Sequence, residues 1–457
     1  MRQFFGKNLY YITQYINREP VIAAIKELDH TQWNQSVELE SIQWKRLINL
    51  VNHVYYHVPF YKELFRKYGI EPGDIKSFHD FKKIPMLSKE QVREFGPALM
   101  SNSKHPEGYI VARTSGSTGK PLAVCRSKIS WSYHHANILR LLKWHGIDIG
   151  APQARIGGSS TSRWKRLQEK TKDVLFNRIK LSALDMEGGT CAGFFEKILK
   201  FKPFYLYGYP SAIHHFSRML KDYGYEGKSA DFKVVIVHGE ELEDLQKKEI
   251  EEFFGCRVIN SYGAAEVGLI AYECPEGGMH IPSESIIVET IEDENGVKGC
   301  KEFVVTDLHN YVMPLIRYGV GDTGDLVDRV CSCGRGLPLM TKPKGKIRTV
   351  LTTPEGKIIH TVFFNSLFKD LYAMGGMVKE YQIIQISPAD FVLKMVVDRE
   401  LNIKHRDFIT FQLRKYFGEP VNFRLDFVDH IERPPHGKFL TFIREYSLNG
   451  AGYQKED

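Results

Sequence analysis

Apolar side chains recur three and four positions apart in SIQWKRLINLVNHVYYHV, where Leu47, Val51, Val54 and Tyr55 share one helical face until Pro59 interrupts. The first hundred residues read as helices of this kind. From about residue 105 to 330 the period changes to short apolar runs that end in glycine-containing turns and lead into helical patterns. FYLYGYPSAIHHFSRML is a strand, a glycine turn and a helix with Pro210 near its start. In FKVVIVHGEELEDLQKKEIEEFFG, the uninterrupted run Val234 to Val237 suits a strand buried on both faces. CRVINSYGAAEVG is a third strand entering a glycine turn. The pattern predicts a large N-terminal α/β domain with a mostly parallel sheet, whose strands open onto one ligand-binding edge. After KPKGKIRT the character shifts again: EYQIIQI and FVLKMVVD form a hairpin around SPAD, HRDFITFQLRKYFG an amphipathic helix and VNFRLDFV an alternating strand. That is a small α+β module, and the boundary falls near Gly345, giving domains 1–344 and 345–457. The polar tail after Tyr446 reads as loose at its end.

The 457 residues, 43% of them hydrophobic, can bury two or three cores. The net charge of +7 is spread along the chain rather than gathered in a basic arm, so it does not call for nucleic acid and fits an anionic substrate equally well. No run approaches the ~18 apolar residues of a membrane-spanning helix, and MRQFFGKNLYYITQYINREP lacks the core of a secretory signal, which predicts a cytoplasmic protein. That first stretch is aromatic on one side and basic on the other, compatible with peripheral contact with a membrane surface or with covering the main domain. Seven cysteines, an odd count, argue against a disulfide framework and fit a reducing compartment. Cys125, Cys191, Cys256 and Cys300 stand alone in sequence.

The stretch ARTSGSTGKPLAV holds a Gly-Lys pair, yet it is not a Walker loop: Thr114 stands where the first glycine is required and Pro121 follows Lys120. A nucleophile elbow centred on Ser117 fails as well, because residue 115 is serine. What remains is Thr114, Ser115, Gly116, Ser117, Thr118, Gly119 and Lys120. Hydroxyls, accessible backbone N–H groups and one cation are the donors a polyphosphate needs, although a solvated turn has the same composition.

Cys274, His280, Cys331 and Cys333 supply three thiols and an imidazole in two short clusters. Thiolate and imidazole suit Zn2+ in a closed, structural, tetrahedral site. Reduced, unligated cysteines are the alternative. Such a site would staple the loop after Glu266 to the loop after Asp322, both beside the predicted ligand-binding edge. The pairs His134-His135 and His214-His215 lie in helical patterns and point to different faces, so they read as surface or satisfied core residues.

Taken in order, HVPFYKELF, KIPMLSKEQVR, TSGSTGKPL, VHGEEL, SYGAAEVG, PLIRYGVGD, CSCGRGLP and RPPHGKFL resemble the adenylate-forming enzymes. The resemblance is to their phenylacetate-CoA ligase-like branch, which includes members of capsular polysaccharide biosynthesis, and it covers nearly the whole chain. It implies that a carboxylate is joined to the α-phosphate of ATP with release of pyrophosphate, and that the acyl group then passes to an acceptor. By the same resemblance Thr114 to Lys120 bind the β- and γ-phosphates, and Glu266 helps hold Mg2+. Ser261, Tyr262 and Gly263 line the adenine, with Gly239 and Glu240 closing its other side, and Asp322 binds the ribose hydroxyls. Lys438 in the small domain reaches the reacting carboxylate. For Glu266 a helix-capping role competes, for Asp322 the nearby Asp325, and for Lys438 an ordinary surface position. Tyr207, Tyr209 and His238 lie at strand ends and read as lining the acyl pocket or as core. The small domain is expected to be mobile, but its hinge KGKIRT has no obvious acid, which leaves the second half-reaction less defined than the first.

The reading is thus an acyl-CoA ligase-like enzyme using ATP, Mg2+, structural Zn2+ and CoA on a small-molecule carboxylate. Its rivals pass the acyl group to an amine or hydroxyl without CoA, or keep the fold as a non-catalytic nucleotide-binding scaffold. The identity of the acid and the oligomeric state have no signature in the sequence.

Overall fold

A computed structural model describes residues 6–7, 19–113, 122–157, 171–183, 186, 188–292, 301–346, 350–352, 358–360, 364, 367–368, 370–371, 374–376, 378–397, 401–418, 421–432 and 441–445. They divide into two compact units, one of residues 1–291, 301–320 and 324–343, the other of residues 292–300, 321–323 and 344–457.

The first unit opens with helices α1 (Val21–Thr31), α2 (Ser36–His57) and α3 (Pro59–Tyr68). Leu47, Val51 and Val54 of α2 are buried as their spacing predicts, and Tyr55 packs on the same cluster. Pro59 takes the first position of α3, where its missing N–H leaves no bond unmade, so it starts one helix directly after another ends. Strands β1 (Tyr109–Arg113) and β2 (Ala123–Ser127) pair antiparallel and lead into α4 (Lys128–Trp144), capped by Ser127 Oγ, which accepts from the Ser130 N–H.

Then come β3 (Gln153–Gly157), β4 (Arg178–Ser182), α5 (Gly188–Phe201), β5 (Tyr205–Gly208), α6 (Pro210–Asp222), β6 (Val234–His238), α7 (Asp244–Phe254) and β7 (Arg257–Ala264). The five strands lie parallel in the order β4-β3-β5-β6-β7. One face, with Ile156, Leu206, Val235 and Val237, packs on α5, α6 and α7; the other, with Tyr205, Val234 and Ile236, packs on α1 and α4. Burial on both sides is why β6 reads as a continuous apolar run.

Strands β8 (Gly268–Glu273) and β9 (Met279–His280) fold back antiparallel beside β7. Strands β10 (Ile286–Glu292), β11 (Lys301–Asp307) and β12 (Tyr318–Thr323) form a second sheet in that order. Strands β13 (Leu326–Val327) and β14 (Leu339–Met340) return to the first, giving β13-β14-β9-β8-β7-β6-β5-β3-β4. The parallel half holds the predicted ligand edge, and the antiparallel half extends it.

In the second unit, β15 (Lys344–Lys346) pairs with the end of β12, and β16 (Val350–Thr352) pairs with β17 (Ile358–His360). Strands β18 (Val378–Gln385) and β19 (Asp390–Val397) make the expected hairpin, closed by Ser387 Oγ donating to Asp390. Helix α8 (Ile403–Phe417) then crosses to β20 (Asn422–Phe427), parallel to β19, and β21 (Phe442–Arg444) completes the sheet β20-β19-β18-β21. Phe364, Ile383, Phe391, Leu413 and Phe417 fill its core. Among the described residues no helix is long and apolar enough to cross a membrane.

Candidate active site

The turn from β7 to β8 places Glu266. A Cβ on Gly263 would meet Gly268 O at 2.5 Å, and Gly268 has φ +89°, so the close approach and the positive φ both require glycine. Glu266 is buried; the Tyr318 hydroxyl donates to its Oε1 at 3.0 Å, and Lys89 Nζ lies 3.6 Å from the same oxygen. Burial, and then the negative charge of Glu266, push the Tyr318 pKa up, so the phenol remains a donor. Oε2 has no hydrogen-bond or ion-pair partner among the described residues. A carboxylate with one free oxygen beside a hydroxyl fits a hard divalent cation such as Mg2+. Helix capping, the competing role for Glu266, has no place here, because the residue stands in a strand-to-strand turn.

One and two strands away, on β6 and at the end of β5, the acyl-pocket candidates are together. Alternation puts Tyr207 and His238 on the α4 side of the sheet, with Ser261 opposite His238 in the β6–β7 register. His238 stacks on Tyr207 with ring centroids 4.4 Å apart and lies 5.2 Å from Tyr209. Gly239, at φ +78°, turns the chain beneath Tyr209. Glu240 has a structural task, its Oε2 accepting from the Ser211 N–H at the start of α6. Tyr262 is half-buried against Phe303.

Other groups here were not foreseen. The Arg155 guanidinium lies 4.6 Å from the Tyr207 ring centre, and of the α4 histidines His134 lies near His238 and His135 near Arg155. His134 Nδ1 accepts from the Leu269 N–H at 3.1 Å, and His135 Nδ1 donates to Trp131 O at 3.0 Å. Burial holds both imidazoles neutral, lowering the His135 pKa to about 4 and that of His134 well below its ordinary value. The sequence reading placed this pair at the surface or in satisfied core, and their burial and hydrogen bonds fit the second. A pair of adjacent histidines on a helix gives no sign of which face meets a ligand.

Asp322 lies in the second unit, opposite Lys346 in the β12–β15 register, whereas its competitor Asp325 is engaged by Lys301 Nζ at 3.1 Å in the first. Thr114 to Lys120 and Lys438 lie outside the described residues. Residues 113 and 123, on either side of the glycine-rich loop, stand opposite each other in the β1–β2 register.

The donor atoms of Cys274, His280, Cys331 and Cys333 all lie within 4.8 Å of one another. Sγ of Cys274 and Cys331 are 3.7 Å apart, and Cys333 Sγ is 3.3 Å from His280 Nε2. Tetrahedral Zn–S bonds of ~2.3 Å place sulfurs about 3.8 Å apart, so the geometry fits zinc. His280 Nδ1 donates to Leu337 O at 3.0 Å, which leaves the Nε2 lone pair for a metal. Burial lowers the His280 pKa to about 4 and pushes the Cys274 thiol up to about 12, a cost that a cation would offset. The location corrects the sequence reading. Strand β8, six residues and roughly 20 Å long, runs from the Glu266 turn to Cys274, so the cluster lies a strand's length from the carboxylate. It joins β8, β9 and the 331–337 loop at the opposite end of the strands, not beside the predicted ligand edge at Glu266.

Residues 351–445 match the CapK C-terminal domain family. Over 419 residues the chain is 24% identical to the protein CapK of Staphylococcus aureus, covering 88% of each. Over 306 residues it is 25% identical to the phenylacetate-coenzyme A ligase of Thermus thermophilus, covering 65% of this chain and 68% of that one. The crystal structure of 2-hydroxyisobutyryl-CoA ligase in the postadenylation state, in complex with R3-HIB-AMP, superposes with a TM-score of 0.73 over 91% of each chain at 19% identity. The chain therefore has the fold of the adenylate-forming CoA ligases. Its homologues are CapK and the phenylacetate-CoA ligases, and its small module carries the CapK C-terminal domain.

Proposed function

We propose that this protein activates a small carboxylic acid with ATP, forming an acyl-adenylate and releasing pyrophosphate, and then transfers the acyl group to CoA. The observation that carries this reading is the convergence of Glu266, Ser261, His238 and Tyr207 at the carboxyl edge of the parallel strands, in a chain homologous to CoA ligases. Two anions must meet there, and only a site rich in cations and hydrogen-bond donors allows it. In this reading Glu266 would hold Mg2+, which would supply positive charge to offset that of the phosphates. Thr114 to Lys120 wrap the β- and γ-phosphates, Tyr262, Gly263 and Gly239 border the adenine, Asp322 takes the ribose, and Lys438 neutralises the reacting oxygens. The engagement of Asp325 with Lys301 supports the choice of Asp322. The small domain begins near Gly345 and moves between half-reactions, and the four-ligand zinc cluster is structural. The scarcity of cysteines outside that cluster favours a reducing, cytoplasmic location.

A second reading concerns the acceptor. Similarity to CapK covers 88% of the chain against 65% for the phenylacetate-CoA ligase, and the small domain, which serves the acceptor step, matches CapK. That supports an amine or hydroxyl on a polysaccharide intermediate in place of CoA. Carboxylate-dependent ATP–pyrophosphate exchange over aromatic, fatty and hydroxy acids is the test, followed by addition of CoA, then of amines. Lys438→Ala is expected to abolish exchange while ATP still binds; nucleotide binding without exchange from any acid would favour a scaffold.

A further inference from the structure

A continuous line of side chains runs over the α4 side of the sheet, away from the reacting end. Leu269 N–H, three residues past Glu266, binds His134; His134 lies near His238; His238 stacks on Tyr207; and Arg155 covers Tyr207. Arg155 on β3 pairs in register with Tyr207 on β5, and β7 is two strands further on. Three strand spacings, about 14 Å, therefore separate Arg155 from the strand that carries Glu266.

Arg155 differs from the arginines around it. Arg126 faces Asp307 at 3.6 Å, Arg140 faces Glu284 at 2.7 Å, and Arg178 is paired with Asp173. Among the described residues no carboxylate lies within ion-pair distance of Arg155. The phenols beside it add no negative charge, since burial raises the pKa of Tyr205, Tyr207 and Tyr209; the Glu240 carboxylate also acts on Tyr209, but it accepts from the Ser211 N–H. Arg155 engages Tyr207 by its charge over the ring and by a side-chain hydrogen bond, and a guanidinium has five N–H donors, enough to grip a carboxylate as well. Among the described residues no anion offsets this half-buried cation, and a ligand's negative charge would do so.

We infer that the acid this enzyme activates carries a second carboxylate, separated from the reacting one by a chain or ring, and that Arg155 is the specificity-determining residue that binds it. The inference rests on the proposed adenylation and names its substrate class: an extended dicarboxylic acid rather than a simple aromatic or fatty acid. The reacting carboxylate goes to the Glu266 end and the distal one to Arg155, with the body of the acid lying along Tyr207 and His238.

The test compares dicarboxylic acids of increasing length, aliphatic and aromatic, with their monoamides in ATP–pyrophosphate exchange. The best diacid is expected to exceed its monoamide at least tenfold in kcat/KM. In Arg155→Gln that ratio should fall to near one, chiefly through KM for the diacid, while Arg155→Lys keeps part of it; circular dichroism and Tm show that each variant is folded. A wild type that prefers monoamides, or an Arg155→Gln variant that keeps the diacid preference, overturns the inference. Calorimetric binding of the same acids in the presence of a non-hydrolysable ATP analogue separates the two proposals. If no acid supports exchange, adenylation is refuted; a diacid that then binds wild type tenfold tighter than Arg155→Gln sustains the anion site, and equal binding overturns it.

Discussion

Glu266 is held by two donors of unlike strength, and they differ in what their removal does. Tyr318 makes a well-formed bond at 3.0 Å, whereas Lys89, at 3.6 Å, contributes mainly charge. Glu266→Gln keeps the shape of the site and removes the negative oxygen that a divalent cation requires. Exchange is expected to fall roughly 100-fold or more, with a raised Mg2+ requirement. Tyr318→Phe removes one hydrogen bond to a charged group, an interaction of about 1.5–3 kcal/mol, and leaves the carboxylate in place, so a drop of roughly tenfold is expected. Steady-state exchange titrated with Mg2+ checks both; equal losses from the two variants would deny Glu266 its role as metal ligand.

Elements are joined across the first unit by groups that nothing local announces. Arg140 of α4 binds Glu284 through two nitrogens at 2.7 and 3.2 Å, the Tyr272 hydroxyl of β8 at 2.7 Å and Leu28 O of α1 at 2.9 Å, and both charged side chains are fully buried. Arg140→Met strands the Glu284 carboxylate and should cost about 3–5 kcal/mol in urea unfolding, while the double change with Glu284→Leu should recover much of it. The Cys/His cluster lies beside another tie between elements: next to Cys333, Arg335 lies 4.2 Å from the Trp144 ring centre and 4.9 Å from that of Trp33, and the Gly336 N–H donates to Gln32 O. A strong chelator should remove zinc, lower Tm and change the fluorescence of Trp33 and Trp144, with little effect on exchange below the new Tm, because the cluster lies at the far end of the strands from Glu266. Metal analysis showing no zinc in a folded preparation would count against the site. Helix α2, strand β6 and the β18–β19 hairpin were legible because a helical period, a doubly buried run and a turn each write themselves into consecutive residues. Arg140–Glu284 and the β10–β12 sheet were not, since their partners are distant in sequence. The cysteine cluster was legible as chemistry but not as location, because spacing carries no information about which end of the strands a hairpin reaches. Arg155 was missed for the opposite reason: its distinguishing feature is the lack of a carboxylate partner among the described residues, which only coordinates display.

Across the first unit, imidazoles buried in the neutral form set how the molecule responds to acid. Burial lowers the pKa of His53, His134, His135, His145 and His309, and for His135 it reaches about 4. Unfolded, each titrates near 6.5, so below that pH the unfolded chain binds more protons than the native one, and stability falls as pH falls until the native pKa values are passed. Glu243 works in the other direction: burial raises its pKa to about 7, so between that value and the usual carboxylate range the native state binds the extra proton and gains stability on acidification. His280 joins these imidazoles, and Glu19 and Asp307 are raised by burial as Glu243 is; six histidines thus oppose three carboxyls and should dominate. The urea midpoint of the first unit is therefore expected to hold steady above pH 7 and to decline progressively from pH 6.5 towards 4. His135→Asn removes one titrating group from that set and should shallow the decline, with the largest gain relative to wild type near pH 5. A midpoint that stays level from pH 7 to 5, or a His135→Asn slope equal to that of wild type, would show that these imidazoles are solvated enough to charge without unfolding the chain.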